Sequence, residues 1–251
     1  MRLKSSILLF LQQIMQKYNI QWLGMLGHGK GVEAMREAVT LNGMVLLSAP
    51  SGEFDRRLVL LTTGRGKITA FAHGARRPGN PLMACTRTFV FGKFTLYEGR
   101  TAYNLQSAQV ANYFDELSSD MEGACYGSYF LELADFYSQE NMDATEQLKL
   151  LYQSLRALLK PAIPNRLVRR IFELKMMVIN GEYTEQPPNP VSDSCSYAWE
   201  YVVLSPVEAL YRFALTDEVL REFERVVESG RRRFLRHECR SLEILEVLTS
   251  D

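Results

Sequence analysis

Three short apolar runs separated by turn residues occupy residues 43–77 and constrain the fold more than any other stretch. Residues 44–47 and 57–62 lie on either side of Pro50-Ser51-Gly52, which has the composition of a tight turn. Residues 67–73 then alternate apolar and polar side chains, as a half-buried strand does. Runs this short, with this punctuation, predict neighbouring β-strands and not helices.

The strand pattern continues to about residue 113. Residues 88–97 form a long aromatic run, in which Gly92 permits a bend or bulge, and residues 103–110 form a fifth strand. We expect Gly52, Gly66 and Gly74 to occupy turns that need a positive φ or a close backbone approach. Five short strands predict a small barrel, and their pattern fits an OB-fold or an SH3-like barrel equally well.

The periodicity changes to that of helices after residue 112, as a stripe of leucines illustrates: Leu148, Leu151, Leu155, Leu158 and Leu159. We expect helices over residues 165–179, from Ser205, from Thr216 to a stop at Gly230, and over residues 231–248. Residues 181–204 have the loosest pattern. The predicted fold class is therefore α+β, with a five-stranded barrel domain (35–113) followed by an all-helical domain (114–251).

The two halves carry opposite charge although the whole chain is neutral. Residues 36–113 hold ten Lys and Arg against four Asp and Glu, a net +6, whereas residues 114–251 have a net charge of −9. Chance variation between domains is one interpretation. The other is that only the barrel faces a polyanion.

Eight cations of the barrel half are the candidate DNA-binding residues. Ordinary solvation is the commoner fate of surface arginines, but OB-fold surfaces bind single strands through cationic grooves and stacked aromatic rings. The candidates are Arg56, Arg57, Arg65, Lys67, Arg76, Arg77, Arg87 and Lys93.

The order of residues from Gly43 to Pro78 resembles the RecO family of bacterial recombination mediators. The matching pattern is GxVLxxxPxGExDRxxxxLTxxxGKxxAxAxGARRP. It continues with Tyr103, Leu105, Ala108 and Val110, and then with Tyr129, Glu132, Leu133 and Phe136. The resemblance extends well from residue 36 to about residue 160 and more loosely beyond.

The resemblance implies an OB-fold and a function in DNA repair that needs no cofactor. Such a protein would bind single- and double-stranded DNA, anneal complementary strands, and act with RecR and the single-strand-binding protein to load RecA. It would contact the acidic, apolar-ended tail of the single-strand-binding protein through its helical half. It would be cytoplasmic, associated with the nucleoid during repair, and would have no membrane partner.

Two further classes of function stay open at this point. One is a protein-interaction adaptor whose basic barrel docks an acidic partner. The other is a nuclease, which would need a carboxylate cluster to hold Mg²⁺, yet the basic half has only four acids. None of His28, His73 and His237 lies in a recognisable catalytic motif, so we expect no enzyme.

Two arginine groups in the helical half are candidate contacts for a partner or DNA. We expect Arg166, Arg169 and Arg170 to give one helix a basic face, although a network of ion pairs with nearby acids is an equal alternative. The second group can equally neutralise adjacent acids and consists of Arg231, Arg232 and Arg233.

The cysteines depart from the family pattern. Many RecO proteins carry a four-cysteine zinc site after the helix that matches residues 166–179, whereas this region here contains only Cys195. No C-x-x-C pair occurs in the chain. We therefore expect a zinc-free insert near residues 181–204, held by packing alone.

Residues 1–34 do not resemble the family. They hold a candidate amphipathic helix followed by a glycine-rich break. We expect Met35 to be the natural start, with the preceding extension of uncertain origin. The alternative is a docking helix for a partner.

Overall fold

Five strands close into a barrel at the start of the described chain. The computed structural model describes residues 38–234 and 239–248, so the predictions for residues 1–34 lie outside it. The strands are β1 (Ala38–Ser51), β2 (Asp55–Thr62), β3 (Gly66–Ala72), β4 (Phe91–Glu98) and β5 (Tyr103–Asn112). Their order is β1-β2-β3-β5-β4, and the β3–β5 pair is parallel. The predicted OB-fold barrel is confirmed.

Strand β1 is longer than its apolar run because it closes the barrel. Its first half pairs with β4 and its second half with β2, and its register to β2 shifts between Val45 and Leu47. Opposite it, the β4–β5 register shifts between Phe91 and Gly92. A Cβ on Gly92 would lie 2.3 Å from the carbonyl oxygen of Gln109. The bulge expected at this glycine is confirmed.

α-Helices are the other regular elements of the described chain, apart from one short 3-10 turn. The two short ones are α1 (Leu82–Cys85) and α2 (Asp115–Ser119). The longer ones are α3 (Met121–Tyr137), α4 (Thr145–Leu158), α5 (Asn165–Ile179), α6 (Asp193–Leu204), α7 (Asp217–Phe234) and α8 (Arg240–Leu248).

Three helix predictions are wrong. The sequence pattern gives no helix within residues 181–204, yet α6 begins there, with the Ser192 hydroxyl accepting a hydrogen bond from the Cys195 amide. Ser205 opens only a 3-10 turn, Val207–Ala209. Gly230 lies inside α7, where its Cβ position is 3.7 Å from both Met177 and Trp199. This glycine therefore permits close packing between helices and is not a stop.

The two faces of the β1–β2 pair bury side chains in two different cores. Val45, Leu58 and Leu60 point into the barrel, together with Phe94 and Leu96. The alternate residues face the helices and join the helical core: Met44, Leu46, Val59 and Leu61. Because successive strand residues point to opposite faces, one hairpin serves both cores. The barrel and the helices consequently belong to one compact unit.

Aromatic side chains fill the junction between the barrel and the helices. The ring of Tyr152 on α4 lies 4.5 Å from that of Phe91 and 5.7 Å from that of Phe114, measured between centroids. Phe89 packs on Gly127 of α3, whose Cβ position is 3.0 Å from the ring. Such pairs add about 0.5–1.5 kcal/mol each beyond the area that they bury.

The β2–β3 turn lies directly on the segment that follows α3. The Lys67 amide donates to the carbonyl of Gln139, and the Asn141 amide donates to the carbonyl of Arg65. Gly66 has φ +64°, and a Cβ there would lie 2.0 Å from the Gln139 oxygen. Gly52 and Gly74 also have positive φ, so the three predicted turn glycines are confirmed.

The segment after α5 contacts the helical core through side chains. Trp199 donates its indole N–H to the carbonyl of Thr184, and the Tyr137 hydroxyl donates to Glu182 at 2.6 Å. Cys195 is buried, which raises the pKa of its thiol to about 11.

Across residues 38–234 and 239–248, no group of three His, Cys, Asp or Glu side chains is placed to hold a metal ion. The same residues include no helix long and apolar enough to cross a bilayer.

We predict that Gly66→Ala destabilises the protein by about 2–5 kcal/mol, because it adds a backbone clash to positive-φ strain. Gly64→Ala is the matched control. It also has positive φ, but its Cβ would meet no atom within 4 Å, so it should cost only about 1–2 kcal/mol. Urea unfolding of both variants measures the difference. Equal losses would show that the β2–β3 turn does not depend on the close approach.

Candidate nucleic-acid interface

Four of the eight predicted cations lie at the turn between β1 and β2: Arg56, Arg57, Arg76 and Arg77. Arg76 donates from Nη1 to the carbonyl oxygens of Gly52 and Glu53, both at 3.1 Å. The guanidinium of Arg77 lies over the ring of Phe54, 4.6 Å from its centroid. Arg57 is exposed at the start of β2. We call Phe54, Arg57, Arg76 and Arg77 the turn cluster.

The carboxylate of Asp55 and the imidazole of His73 form a brace that holds the backbone beside the turn cluster in place. Asp55 accepts from the amide of Gly74 at 2.7 Å and pairs with Nδ1 of His73 at 2.8 Å. Nε2 of His73 lies 3.1 Å from Oδ1 of Asn104, at the start of β5. The turn, the end of β3 and β5 are thus tied together. Arg56, the next residue along β2, donates from Nη1 to the Ser48 hydroxyl at 2.9 Å.

The brace carries a titratable charge. The Gly74 amide and His73 lower the pKa of Asp55, and the hydrogen bond to Asp55 raises the pKa of His73 above 6.5. Both ring nitrogens of His73 face oxygen acceptors, so the imidazolium form satisfies both contacts. Protonated His73 therefore adds a positive charge beside the turn cluster.

An NMR titration of the His73 ring should give a pKa above 6.5. Because the folded-state value is raised, this contact stabilises the fold fully below the unfolded pKa and loses its effect as pH rises through the folded pKa. In Asp55→Asn the value should fall towards 6.5. A wild-type pKa at or below 6.5 would contradict the predicted brace.

The outer face of β2 and β3 places an aromatic ring beside a cation. Arg57 lies opposite Phe71 on β3 and opposite Ala49 on β1. Leu47 on the same face is 47% exposed. OB-folds bind oligonucleotides on the face of strands 2 and 3 and through the neighbouring loops. This end of the sheet has the side chains for stacking and for phosphate contact.

Two residues of this region were missed from the sequence. Phe54 is an exposed aromatic inside a turn, which is itself a usable signal. Arg100 is exposed in the loop between β4 and β5, a second loop that binds ligands in OB-folds. Its cationic charge and position between two strand patterns could have placed it among the candidates.

The other four predicted cations do not join this surface. Lys67 pairs with the carboxylate of Asp135 at 3.2 Å, and Arg87 pairs with Asp115 at 2.6 Å. Lys93 is exposed on β4, opposite Asn42 and Gln109. Arg65 is half-buried in the β2–β3 turn. The eight cations are therefore distributed over several faces, and two of them face acids of the helical half.

Two family models match the chain. One is described as Recombination protein O N terminal and matches residues 35–114, and the other, Recombination protein O C terminal, matches residues 118–187. The chain belongs to the RecO family. The resemblance seen in the motifs from Gly43 to Pro78 is confirmed.

The relatives are proteins named DNA repair protein RecO. That of Acetivibrio thermocellus is 24% identical over 240 residues, which cover 82% of this chain and 96% of that protein. That of Alkaliphilus metalliredigens is 33% identical over 143 residues, 57% of this chain and 58% of that protein. For Clostridium novyi the identity is 32%, over 55% of this chain and 54% of the relative. The latter two alignments span little more than half of those relatives.

The predicted basic face on α5 is wrong for two of its arginines. Arg169 and Arg170 are buried and donate to Glu173 at 2.9 and 2.7 Å. Glu173, with 1% of its surface exposed, also accepts from the Tyr129 hydroxyl at 2.7 Å. Burial alone would raise the pKa of Glu173, but Arg170 and Arg169 hold it below its usual value. This RecO family member uses the two arginines inside its core.

The second arginine group extends the same network. Glu228 on α7 pairs with Arg170, Arg231 and Arg232 at 2.9, 2.7 and 2.9 Å. Burial opposes this ionisation, yet the arginines lower the pKa of Glu228 to about 2. Arg166 pairs with Glu224. Arg233 is exposed and lies over the ring of Phe234. All of these arginines except Arg233 pair with acidic side chains, which is the alternative that the sequence left open.

Proposed function

We propose that this chain is a DNA-binding mediator of DNA repair and recombination that binds single- and double-stranded DNA at the turn cluster and anneals complementary strands. One observation carries the proposal. The turn cluster presents three arginines and an exposed aromatic ring at one end of an OB-fold barrel. Asp55 beside the cluster is already engaged by Gly74 and His73, and no ion pair among the described residues includes Arg57, Arg76 or Arg77. The cations are thus available to phosphate.

The mechanism needs no chemical step. Arginines that neutralise phosphates release condensed counterions, which supplies most sequence-independent affinity. Contacts to phosphate leave the base edges free, so a second strand can pair with the bound one. Phe54 and Phe71 add stacking surfaces that tolerate any base. Neutralisation of two backbones on one small surface then promotes annealing, and salt weakens it.

The double variant Arg76→Ala/Arg77→Ala should weaken binding of a labelled single strand in fluorescence anisotropy. The slope of log affinity against log salt should become shallower by about 1.4, because two phosphate contacts are lost at about 0.7 each. Annealing of complementary strands should slow in parallel. An unchanged slope would contradict the placement of the DNA site at the turn cluster.

The matched control is Arg221→Ala/Arg225→Ala, which removes two exposed arginines from α7. It changes the net charge equally but should leave the salt slope intact. Arg76 also holds the turn through two carbonyls, so Arg77→Ala alone separates lost charge from a loosened turn. Affinity that does not rise with oligonucleotide length would favour an acidic protein as the ligand of this surface.

Family membership supports a further part of the proposal, in which the chain acts with RecR and the single-strand-binding protein to load RecA. With Arg169 and Arg170 buried, the groove between α6 and residues 212–215 is the candidate dock for the single-strand-binding protein's tail. It has a volume of about 630 Å³ and is lined by Tyr197, Tyr201 and Phe213, and also by Arg212 and Asp193. The aromatic rings suit contact with the apolar end of the tail, and Arg212 suits an ion pair with its acidic residues.

An acidic peptide with an apolar C-terminal residue should bind this groove, and Tyr197→Ala or Arg212→Ala should weaken the binding several-fold. Calorimetry with the peptide measures this directly. Both side chains are exposed, so neither variant should unfold the protein. Wild-type affinity in both variants would place the tail on another surface.

A further inference from the structure

A cavity of about 570 Å³ opens where the barrel meets the helical half, outside the turn cluster. The cavity is shallow and widely open to solvent. The side chains that define it come from the loop after β3, from α1 and from the residues just after β5. They are Asn80, Pro81, Met83, Arg87, Tyr113 and Asp115.

The charges at this cavity do not suit a phosphate. Arg87 is paired with Asp115 at 2.6 Å, and its guanidinium lies 5.4 Å from the ring centroid of Tyr113. The carboxylate neutralises the arginine and repels anions. What remains is an aromatic ring that is 38% exposed, the thioether of Met83, one carboxylate acceptor and guanidinium donors. These groups together suit a flat, uncharged molecule that carries N–H donors.

A short hydrogen-bonded loop connects the cavity to the turn cluster. The Arg77 amide donates to the carbonyl of Gly74, and the Asn80 amide donates to the carbonyl of Arg77 at 3.1 Å. The Met83 amide then donates to the carbonyl of Asn80 at 3.0 Å. Arg77 is thus three residues from the first polar side chain of the cavity. This short separation lets a strand with a phosphate on Arg77 extend towards the cavity.

We propose that this cavity receives one unpaired nucleobase of a single strand held at the turn cluster. The base lies against Tyr113, and its exocyclic amino group donates to Asp115, as carboxylates do with cytosine N4. This inference rests on the proposed DNA function and deepens it. Two consequences follow. A base in a duplex is stacked and its amino group is bonded to the opposite strand, so the site favours single strands, and cytosine or adenine is preferred over uracil or thymine.

The test is anisotropy with short deoxycytidine and deoxyuridine oligonucleotides, which differ at the exocyclic group and N3 of the base. Wild-type protein should bind deoxycytidine several-fold more tightly. Asp115→Ala should abolish this preference and steepen the salt slope, because it frees Arg87 for phosphate. Tyr113→Ala should weaken both complexes about tenfold without a change of slope, since base stacking is worth about 1–3 kcal/mol.

Two variants serve as controls. Tyr113→Phe keeps the ring and should bind as the wild type does. Tyr183→Ala removes a tyrosine of equal exposure, 38%, from the segment after α5 and should have no effect. If Tyr113→Ala does not fold, the deoxycytidine preference of Asp115→Ala still decides the matter.

The outcomes separate this inference from the proposed function. Arg76→Ala/Arg77→Ala should weaken both oligonucleotides and lower the salt slope while the base preference persists. If this double variant left the salt slope unchanged, the proposed DNA site at the turn cluster would be wrong. Equal wild-type affinity for the two oligonucleotides, with Tyr113→Ala binding normally, would overturn the base site alone. Arg87 and Asp115 would then be only a brace between barrel and helices.

Discussion

The whole structure depends on the β1–β2 hairpin being buried on both of its faces. Val45, Leu58 and Leu60 complete the barrel, while Met44 and Val59 complete the helical core. Burial of apolar surface is worth about 25 cal/mol per Å², so loss of either core would expose one face of the hairpin at a large cost. The barrel and the helices stabilise each other through this shared element.

The covered face also decides where a ligand can bind. An OB-fold offers the face of strands 2 and 3 for oligonucleotides. Here the helices cover the part of that face around Val59 and Leu61, and the β2–β3 turn lies on residues 139–142. The opposite end, with Arg57 and Phe71, stays open. Packing that stabilises the fold therefore confines the candidate interface to the β1–β2 turn.

Local patterns allowed much of the fold to be predicted. Alternation and turn residues gave the strands, and the positive-φ glycines followed from turn chemistry. Helix α6 was missed because prolines precede it and its buried residues, Ala198, Trp199 and Val202, give little polar contrast. Gly230 was read as a stop because sequence cannot show a helix packing on it. The error at Gly230 concerns partners far away in the chain, Met177 and Trp199.

The site was only half predictable for the same reason. The cations could be found, but not their partners: Asp135 lies 68 residues from Lys67, and Glu228 lies 58 residues from Arg170. Composition gives the helical half a net charge of −9 but does not show which acids pair with which cations. Among the described residues, several acids of this half make specific structural contacts. Glu173 and Glu228 hold buried arginines, while Asp120 caps the first turn of α3.

Ion pairs between the barrel and the helices determine which cations of the barrel remain available to a ligand. Asp135 and Asp115, both from the helical half, neutralise Lys67 and Arg87 at the edges of the barrel. The turn cluster has no such partner from the helices among the contacts of the described residues, and its arginines contact carbonyls and a ring instead. The acids of the helical half thus neutralise cations of the barrel where the two parts meet. They leave the positive charge of the turn cluster in place at the open end of the barrel. In the function that we propose, this selection, and not the total of +6 in residues 36–113, directs a polyanion to one end of the barrel.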